Sequence, residues 1–459
     1  MIAPTVTAAA TIRAQLDVIE KSLAALESQM TSLRAQKERL LEDLENLTYP
    51  VLTLPDDITI VFLHVVSAVM LDEYSKARPY YDLLRLASVC QTWRAVMVST
   101  CALWNDGYMF CDGIRDAGKT LEMCLAYAGS LPLDLKIWVP DDMDMILSTL
   151  SLYGSQWRHL SLCRSDNDIP IIFPLDHFPS SLPLLESLEL CNLLVEDDPV
   201  SSLCHAPQLR ELSLRSSSWA IQLGLPFNRL TKFDLRNFSI TQLLVVLPQV
   251  PSLESLVFVC TKYAQVAPPS ILLPCLHTLT CDDPSTVLQY LILPALEKLH
   301  LWYLSEEDVH AIHSCVARSH STIFTLGLYH PNYDEAYDCL CGLPTIRHLK
   351  LWFPSWHYDD DDSLFTALIS GICLPALESL TWEGCKPDRA HKLFVMVSAR
   401  WRGVEGTAKL NSVSLGFPDG EDSEAPYWNE YVNAINQLYE LGRQGLELKI
   451  TGALAGAAT

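Results

Sequence analysis

The sequence predicts an α + α/β protein in three parts: a long coiled-coil helix, a small helical module and an array of repeats with one strand each. Three observations support this prediction. Apolar residues recur at alternating steps of three and four over residues 12–48, two apolar helical segments lie within residues 51–106, and a Leu-rich motif recurs over residues 120–450. Residues 1–11 are expected to be disordered, and residues 451–459 are expected to form a flexible tail.

The composition limits the classes of protein to which the chain can belong. It has 459 residues, of which 49% are hydrophobic, and a formal net charge of −23. An acidic chain is a poor candidate for nucleic-acid binding, because phosphate contacts need clustered Lys and Arg. Neither a secretory signal nor an apolar run of roughly 20 residues occurs, so we expect no membrane association and a cytoplasmic or nuclear location. The 15 cysteines are expected to be reduced thiols packed as small hydrophobes.

The first part carries an apolar seam with the spacing of a heptad repeat. Its members are Ile12, Leu16, Ile19, Leu23, Leu26, Met30, Leu33, Lys37, Leu40, Leu44 and Leu47. Lys37 occupies an a position, where a charged residue favours low oligomer number at some cost in stability. Residues 12–48 therefore predict a homodimer, or a helix whose apolar stripe packs on the protein's own body.

Two apolar helices are predicted in the second part. In LPDDITIVFLHVV, Pro55 and the two Asp residues after it mark a helix start. In DLLRLASVCQTWRAVMVSTCALW, Asp82 is expected to cap a helix that carries Cys90 and Trp93 on one apolar stripe. No neighbouring His or Lys is present to lower the pKa of the Cys90 thiol, so we interpret Cys90 as a packing residue rather than a nucleophile.

These two segments resemble the F-box, whose motif is Leu-Pro with an apolar helix, then Val-Cys-x-x-Trp, then a closing Leu-Trp. The matching residues are Leu54, Pro55, Ile58, Phe62, Leu63, Leu84, Val89, Cys90 and Trp93, with Leu103 and Trp104 at the close. The long segment 67–82 between the helices departs from the short turn of many F-boxes. The resemblance implies docking on a Skp-type adaptor and, through it, on a cullin. In the alternative interpretation the same residues only form the core of a three-helix bundle.

The third part repeats the form (Pro)-x-Leu-x-x-Leu-x-Leu, as in LPLLESLEL, LPALEKLHL and LPTIRHLKL. The aligned inner residues are Leu188, Leu212, Phe233, Leu256, Leu279, Leu299, Leu326, Leu349, Leu380 and Val413. The segments LPLDLKI and WRHLSL are expected to be earlier repeats. This period and motif are typical of leucine-rich repeats, so residues 120–450 are predicted to form an irregular, curved solenoid.

Alternation within the repeats predicts which side chains line the open face. In a strand of the form Leu-x-Leu the leucines point inward and the residues between them point outward. Three successive repeats then display Lys298, His300 and Trp302; Thr325, Gly327 and Tyr329; and His348, Lys350 and Trp352. Aromatic side chains beside cations suit protein recognition, and we expect this patch to bind an acidic or phosphorylated segment. The alternative is that insertions such as HYDDDD at 357–362 cover it.

The sequence contains no motif that predicts catalysis, a cofactor or a metal site. No Gly-rich phosphate loop, nucleophile elbow or zinc-protease helix occurs. Cys339 and Cys341 lack the spacing of a zinc knuckle, and HYDDDD is interpreted as a solvated acidic insertion. We therefore expect a non-catalytic substrate receptor of the F-box and leucine-rich-repeat type, within a ubiquitin ligase. The alternatives are a scaffold outside any ligase and a cysteine hydrolase built on Cys90.

Overall fold

The computed structural model divides the chain into two compact units. The first comprises Met1–Met70 and Asp82–Thr100, and the second comprises Leu71–Tyr81 and Cys101–Thr459. The residues described are 4–45, 55, 57–62, 80–111, 116–140, 143–164, 171–173, 179–195, 205–215, 227–262, 270–353, 363–417 and 427–452. The predicted site residues Leu54 and Leu63 and the acidic insertion at 357–362 lie outside these ranges.

The first unit begins with one long helix, Pro4–Glu45. It starts ahead of the predicted Ile12, because Pro suits the first turn of a helix and the Ala-rich stretch that follows is a strong helix former. The described apolar members of the seam are all between 50% and 64% exposed. The seam therefore forms an apolar stripe that is exposed to solvent along the described part of the helix.

Three shorter helical segments follow: residues 57–62, Tyr80–Ala87 and Gln91–Ser99. They belong to the first unit, except that Tyr80 and Tyr81 are part of the second. The predicted single helix from Asp82 to beyond Trp93 is wrong, since a turn at residues 88–90 divides it. Asp82 lies in the first turn of Tyr80–Ala87 and not at its cap.

Cys90 caps the helix Gln91–Ser99. Its backbone is extended, and the Trp93 backbone N–H donates a hydrogen bond to the Cys90 Sγ atom at 3.3 Å. Ser88 Oγ donates to the Arg85 carbonyl at 2.6 Å, which ends the preceding helix. Small polar side chains compete in this way with helical hydrogen bonds, and for this reason apolar periodicity alone did not predict the break.

The second unit is an α/β structure built on a 14-stranded sheet in which every neighbouring pair of strands is parallel. The strands are β1 (Asp106–Phe110), β2 (Leu133–Trp138), β3 (Trp157–Cys163), β4 (Ile171–Phe173), β5 (Ser187–Cys191), β6 (Leu193–Val195), β7 (Glu211–Arg215), β8 (Lys232–Ser239), β9 (Ser255–Lys262), β10 (Ile271–Leu272), β11 (Thr278–Cys281), β12 (Leu291–Ile292), β13 (Lys298–Trp302), β14 (Thr325–Tyr329), β15 (His348–Trp352), β16 (Ser379–Glu383), β17 (Ser412–Gly416) and β18 (Glu447–Thr451). The large sheet has the order β1-β2-β3-β5-β7-β8-β9-β11-β13-β14-β15-β16-β17-β18, which is the order of the chain. The pairs β4–β6 and β10–β12 form two small parallel sheets.

Helices connect many of the strands, as parallel pairing requires a crossover between successive strands. They are Ala117–Ala128, Asp144–Ser151, Ile240–Val246, Pro284–Leu288, Glu306–Ser319, Tyr333–Cys341, Ser363–Ser370, Ala390–Arg402 and Trp428–Arg443. The helix Glu306–Ser319 begins with a capping box in which Ser305 and Asp308 satisfy each other's backbone N–H groups. Among the described residues, no helix is long and apolar enough to cross a bilayer.

The core of the second unit is a ladder of the inner leucines. The ten aligned residues of the predicted repeats, from Leu188 to Val413, follow one another in register across the sheet. None of them is more than 2% exposed. Full burial of an aliphatic side chain contributes about 1.5–3 kcal/mol, so this row is a main source of stability. Each of these predicted repeats contributes one strand.

Two features of the second unit differ from expectation. The sheet begins at Asp106, ahead of the predicted residue 120, because β1 has the sequence DGYMF and lacks the Leu-x-Leu pattern. A disulfide joins Cys341 to Cys373, so these two cysteines are not reduced thiols. They meet because the end of the helix Tyr333–Cys341 lies beside the residues that follow Ser363–Ser370, a proximity that residues 32 apart in sequence do not reveal.

Candidate interaction surfaces

Three residues that match the F-box motif form exposed apolar surface on the first unit. Ile58 is 51% exposed, Phe62 is 36% exposed and Val89 is 59% exposed. The backbone N–H of Thr59 donates to the Pro55 carbonyl at 2.9 Å, which places Pro55 at the start of the helical turn as predicted. The Thr59 side chain is buried, so this short helix has an inner and an outer face.

Trp93 is buried beside one of these three residues. It is 7% exposed, and its ring packs against Phe62 with the centroids 5.6 Å apart and the planes tilted by 56°. Its indole N–H has no acceptor among the described residues. Leu84 and Cys90 are half-buried. Trp93 is therefore an anchor within the unit, and the exposed contact area comes from its neighbours.

The closing Leu103 and Trp104 of the motif are fully buried in the second unit. Tyr80 Oη donates a hydrogen bond to the Trp104 carbonyl at 2.9 Å, and the two rings lie 6.4 Å apart. Tyr127 also packs against Trp104, with a centroid distance of 5.0 Å. These contacts stabilise the start of the sheet.

The open face of β13, β14 and β15 carries a cluster of aromatic rings. We call Trp302, Tyr303, Tyr329, His330 and Trp352 the aromatic patch. Trp302 stacks on Tyr329 at 4.6 Å, Tyr303 stacks on His330 at 5.3 Å, and His330 lies 5.6 Å from Trp352. Tyr303 is 65% exposed and Trp352 is 44% exposed. The patch is preorganised by ring stacking and still offers apolar area to a partner.

Two lysines and a histidine lie on the open face that carries the aromatic patch, at the positions that the alternation predicts. Lys298 and His348 occupy one row of the open face, each paired in register with the central Thr325, and both are exposed. Lys350 occupies the next row and is also exposed. Lys350 lies two residues before Trp352 on β15, whereas Lys298 and His348 lie four residues before Trp302 and Trp352, at the other ends of their strands. Lys350 is therefore the one of the three that lies nearest along its strand to a ring of the patch.

His300 shares the row of Lys350 and lies nearer to the sheet. Its burial, together with the charges of Lys350 and Lys298, lowers the pKa of the imidazole below its usual value of about 6.5. Its Nδ1 atom has no hydrogen-bond partner among the described residues. A neutral His300 therefore lies between two lysines.

Two members of the aromatic patch, Tyr303 and His330, were not found by the sequence reasoning. Each follows directly after a strand and has a positive φ, of 55° and 59° respectively. Asn192 and Gly384 occupy the same place after other strands, and these are the residue types that tolerate the left-handed region. A tyrosine is uncommon in this region, so the conformation of Tyr303 costs backbone energy and favours a role for its side chain. The Leu-x-Leu pattern stops one residue before them and gives no signal.

Beside the aromatic patch, an open depression of about 560 Å³ is lined by Trp302 and by charged side chains of earlier strands. Arg215 contacts Glu189 at 3.1 Å, and Arg236 donates to both carboxylate oxygens of Asp234, at 3.0 and 3.2 Å. These ion pairs neutralise the arginines. The depression therefore extends the surface available to a partner without adding a net positive charge.

No known protein-family model matches this chain, and no curated protein matches it. The functional interpretation therefore depends on the residues and their geometry.

Proposed function

We propose that the protein is the substrate-recognition subunit of a Skp/cullin/F-box ubiquitin ligase, acting in the cytoplasm or nucleus. The first unit docks a Skp-type adaptor, and the second unit, as an irregular leucine-rich-repeat solenoid, binds the protein substrate. The protein itself performs no chemistry and needs no cofactor. It raises the effective concentration of a substrate lysine near the ubiquitin carrier, which is a proximity effect.

The observation that carries the proposal is the exposure of the apolar residues Ile58, Phe62 and Val89, together with the packing of Phe62 on the buried Trp93. Interfaces concentrate their binding energy in a few large apolar residues held in well-packed surroundings. Trp93 fixes Phe62 from below, so part of the surface is ordered before the adaptor binds. The F-box resemblance assigns all four positions to the adaptor contact; in this proposal the buried Trp93 acts by holding Phe62 in place.

Two observations support substrate binding by the second unit. Fourteen parallel strands in chain order present one row of outward side chains after another, as a repeat array does. The aromatic patch then offers exposed rings on the same open face as Lys298, His348 and Lys350, of which Lys350 lies two residues from Trp352. Rings beside cations suit a segment that carries both apolar and acidic or phosphorylated side chains.

The exposed seam of the helix Pro4–Glu45 supports pairing of two copies through residues 12–48. Covering an apolar stripe that is at least half exposed along a helix this long would remove a large apolar area from water and stabilise the pair. The heptad spacing matches a second copy of the same helix. A paired receptor holds two substrate-binding faces and gains avidity for a substrate with two binding segments.

Co-expression of the full chain with a Skp-type adaptor and a cullin tests the proposal. We expect the three proteins to co-purify, and the double variant Ile58→Asp, Val89→Asp to lose the adaptor. Both residues are more than half exposed, so the variant should keep the helical content of the wild type. Leu152→Asp, which places the same charge at a residue 74% exposed in the second unit, is the matched control.

The second candidate function is a scaffold that binds proteins outside any ligase. The burial of Leu103 and Trp104 in the second unit favours it, because these closing residues of the motif take part in another core. A wild-type chain that captures partners but neither the adaptor nor the cullin would support the scaffold and contradict the receptor.

A further inference from the structure

The open face of β3 and β5 brings together two cysteines and a carboxylate. Cys163 pairs in register with Cys191, and Glu189 lies two residues before Cys191 on the same face. The two Sγ atoms and a carboxylate oxygen of Glu189 all lie within 4.8 Å of one another. We propose that Cys163, Cys191 and Glu189 bind a zinc-type transition-metal ion. This site is separate from the aromatic patch and does not depend on the proposed function.

The sheet itself sets a spacing that suits such an ion. Neighbouring strands run about 4.8 Å apart, so paired side chains on one face are held close together. In a tetrahedral zinc site with Zn–S bonds of about 2.3 Å, two ligating sulfurs lie about 3.8 Å apart, and a sulfur and an oxygen lie slightly closer. The Cys191 Sγ atom lies 3.5 Å from Glu189 Oε1. The donors therefore need little rearrangement to bind one ion.

The donor set is selective. Thiolates favour zinc and softer ions, whereas magnesium and calcium prefer sites made of oxygen atoms alone. Cys163 is 7% exposed and Cys191 is 6% exposed, so both thiols are shielded from solvent except on the open side of the sheet. Three protein ligands leave the fourth position of a tetrahedral ion to water from that side.

Neighbouring groups orient the ligands and balance the charge. Ser161 Oγ donates to Glu189 Oε2 at 2.7 Å and lies 3.3 Å from the Cys163 Sγ atom. Arg215 Nη2 lies 3.1 Å from Glu189 Oε1. Two thiolates, one carboxylate and a divalent cation carry a net charge of −1, which Arg215 offsets. Supporting groups of this kind hold metal ligands in place and raise affinity.

Titration of the reduced full-length protein with Co²⁺, followed by displacement with Zn²⁺, tests the site. We expect one equivalent of Co²⁺ to bind with thiolate-to-metal charge-transfer bands and the intense visible bands of tetrahedral coordination. Cys163→Ala and Cys191→Ala should each abolish these bands, and Glu189→Gln should weaken binding by at least about tenfold. Cys281→Ala, which removes a fully buried thiol from the same sheet, is the matched control and should bind as the wild type does.

Three results would overturn the proposal. The first is a reduced wild-type protein that shows no thiolate–cobalt band. Reduction opens any disulfide between Cys163 and Cys191, so such a disulfide would not explain this result. The second is a Cys163→Ala, Cys191→Ala double variant that binds Co²⁺ as the wild type does. The third is unchanged affinity in Glu189→Gln, a substitution that keeps the shape of the side chain. Circular dichroism of each variant separates loss of the site from loss of the fold.

Discussion

The imidazole of His300 lies against Gly327 on the neighbouring strand, where a Cβ atom would overlap its Nδ1 atom. The same Cβ would lie 3.2 Å from the ring of Tyr329, which follows two residues later on the strand. The rings of His300 and Tyr329 therefore approach each other, with centroids 6.2 Å apart, over a residue that has no side chain. The close approach of His300 to Tyr329, a member of the aromatic patch, depends on this glycine.

Gly327→Ala is expected to displace His300 and to lower the free energy of unfolding by about 1–3 kcal/mol, the usual cost of overpacking a filled site. At a position with space for a Cβ atom, Gly→Ala usually stabilises a protein, because it reduces the entropy of the unfolded chain. A loss of stability would therefore be caused by the overlap with His300. Denaturant unfolding measures the change. In a His300→Ala background, Gly327→Ala should lower the free energy of unfolding much less. An equal loss in both backgrounds would show that Gly327 and His300 are not coupled.

The lowered pKa of His300 predicts that stability decreases in weak acid. Burial lowers it most, and the charges of Lys350 and Lys298 add to the effect. The unfolded chain therefore binds more protons than the folded chain once the pH falls below about 6.5, and the free energy of unfolding falls with it. Unfolding of the wild type and of His300→Gln, compared from about pH 7.5 to about pH 5, checks this. The free energy of unfolding of the wild type should fall relative to that of His300→Gln as the pH is lowered. A difference between the two proteins that does not change with pH would contradict the prediction.

Much of the sheet could be predicted because its signal is local. Each strand of the form Leu-x-Leu places its own leucines inward, so aligned repeats such as those of Leu299 and Leu326 predict the ladder and its register. The start of the sheet was missed because β1 lacks this pattern and pairs with β2 through backbone hydrogen bonds that any sequence can form. Cys90 was predicted to lie within a continuous helix but caps the helix Gln91–Ser99. Apolar periodicity cannot predict a cap, because a cap depends on a single side chain.

The surfaces could be predicted only in part, for the same reason. Alternation within β13, β14 and β15 identified Trp302, Tyr329 and Trp352. It did not identify residues that follow the strands, such as Tyr303, whose direction is set by a left-handed backbone. The cluster of Cys163 and Cys191 also gives no local signal, because the pairing of two strands brings these residues together.

The contact between Phe62 and Trp93 predicts unequal effects of substitutions in the first unit. Trp93→Ala removes a buried aromatic side chain and should cost about 3–5 kcal/mol, whereas Val89→Asp, at an exposed position, should change stability by no more than about 0.5 kcal/mol. Hydrogen exchange of the amides in Gln91–Ser99 reports on this unit directly. Equal protection in the two variants would show that Trp93 contributes little to the core.

The exposed seam of Pro4–Glu45 predicts a dimer that charge can dissociate. Leu23 and Leu26 occupy adjacent a and d positions and are 54% and 60% exposed in the single helix. Asp at both positions should therefore be tolerated in the monomer, but in the dimer it would bury unpaired charges between the two helices. Light scattering should report twice the monomer mass for the wild type and the monomer mass for Leu23→Asp, Leu26→Asp. Ser28→Asp, on the opposite side of the helix, is the matched control and should remain dimeric. A monomeric wild type, or a dimeric double variant, would show that the seam has another occupant.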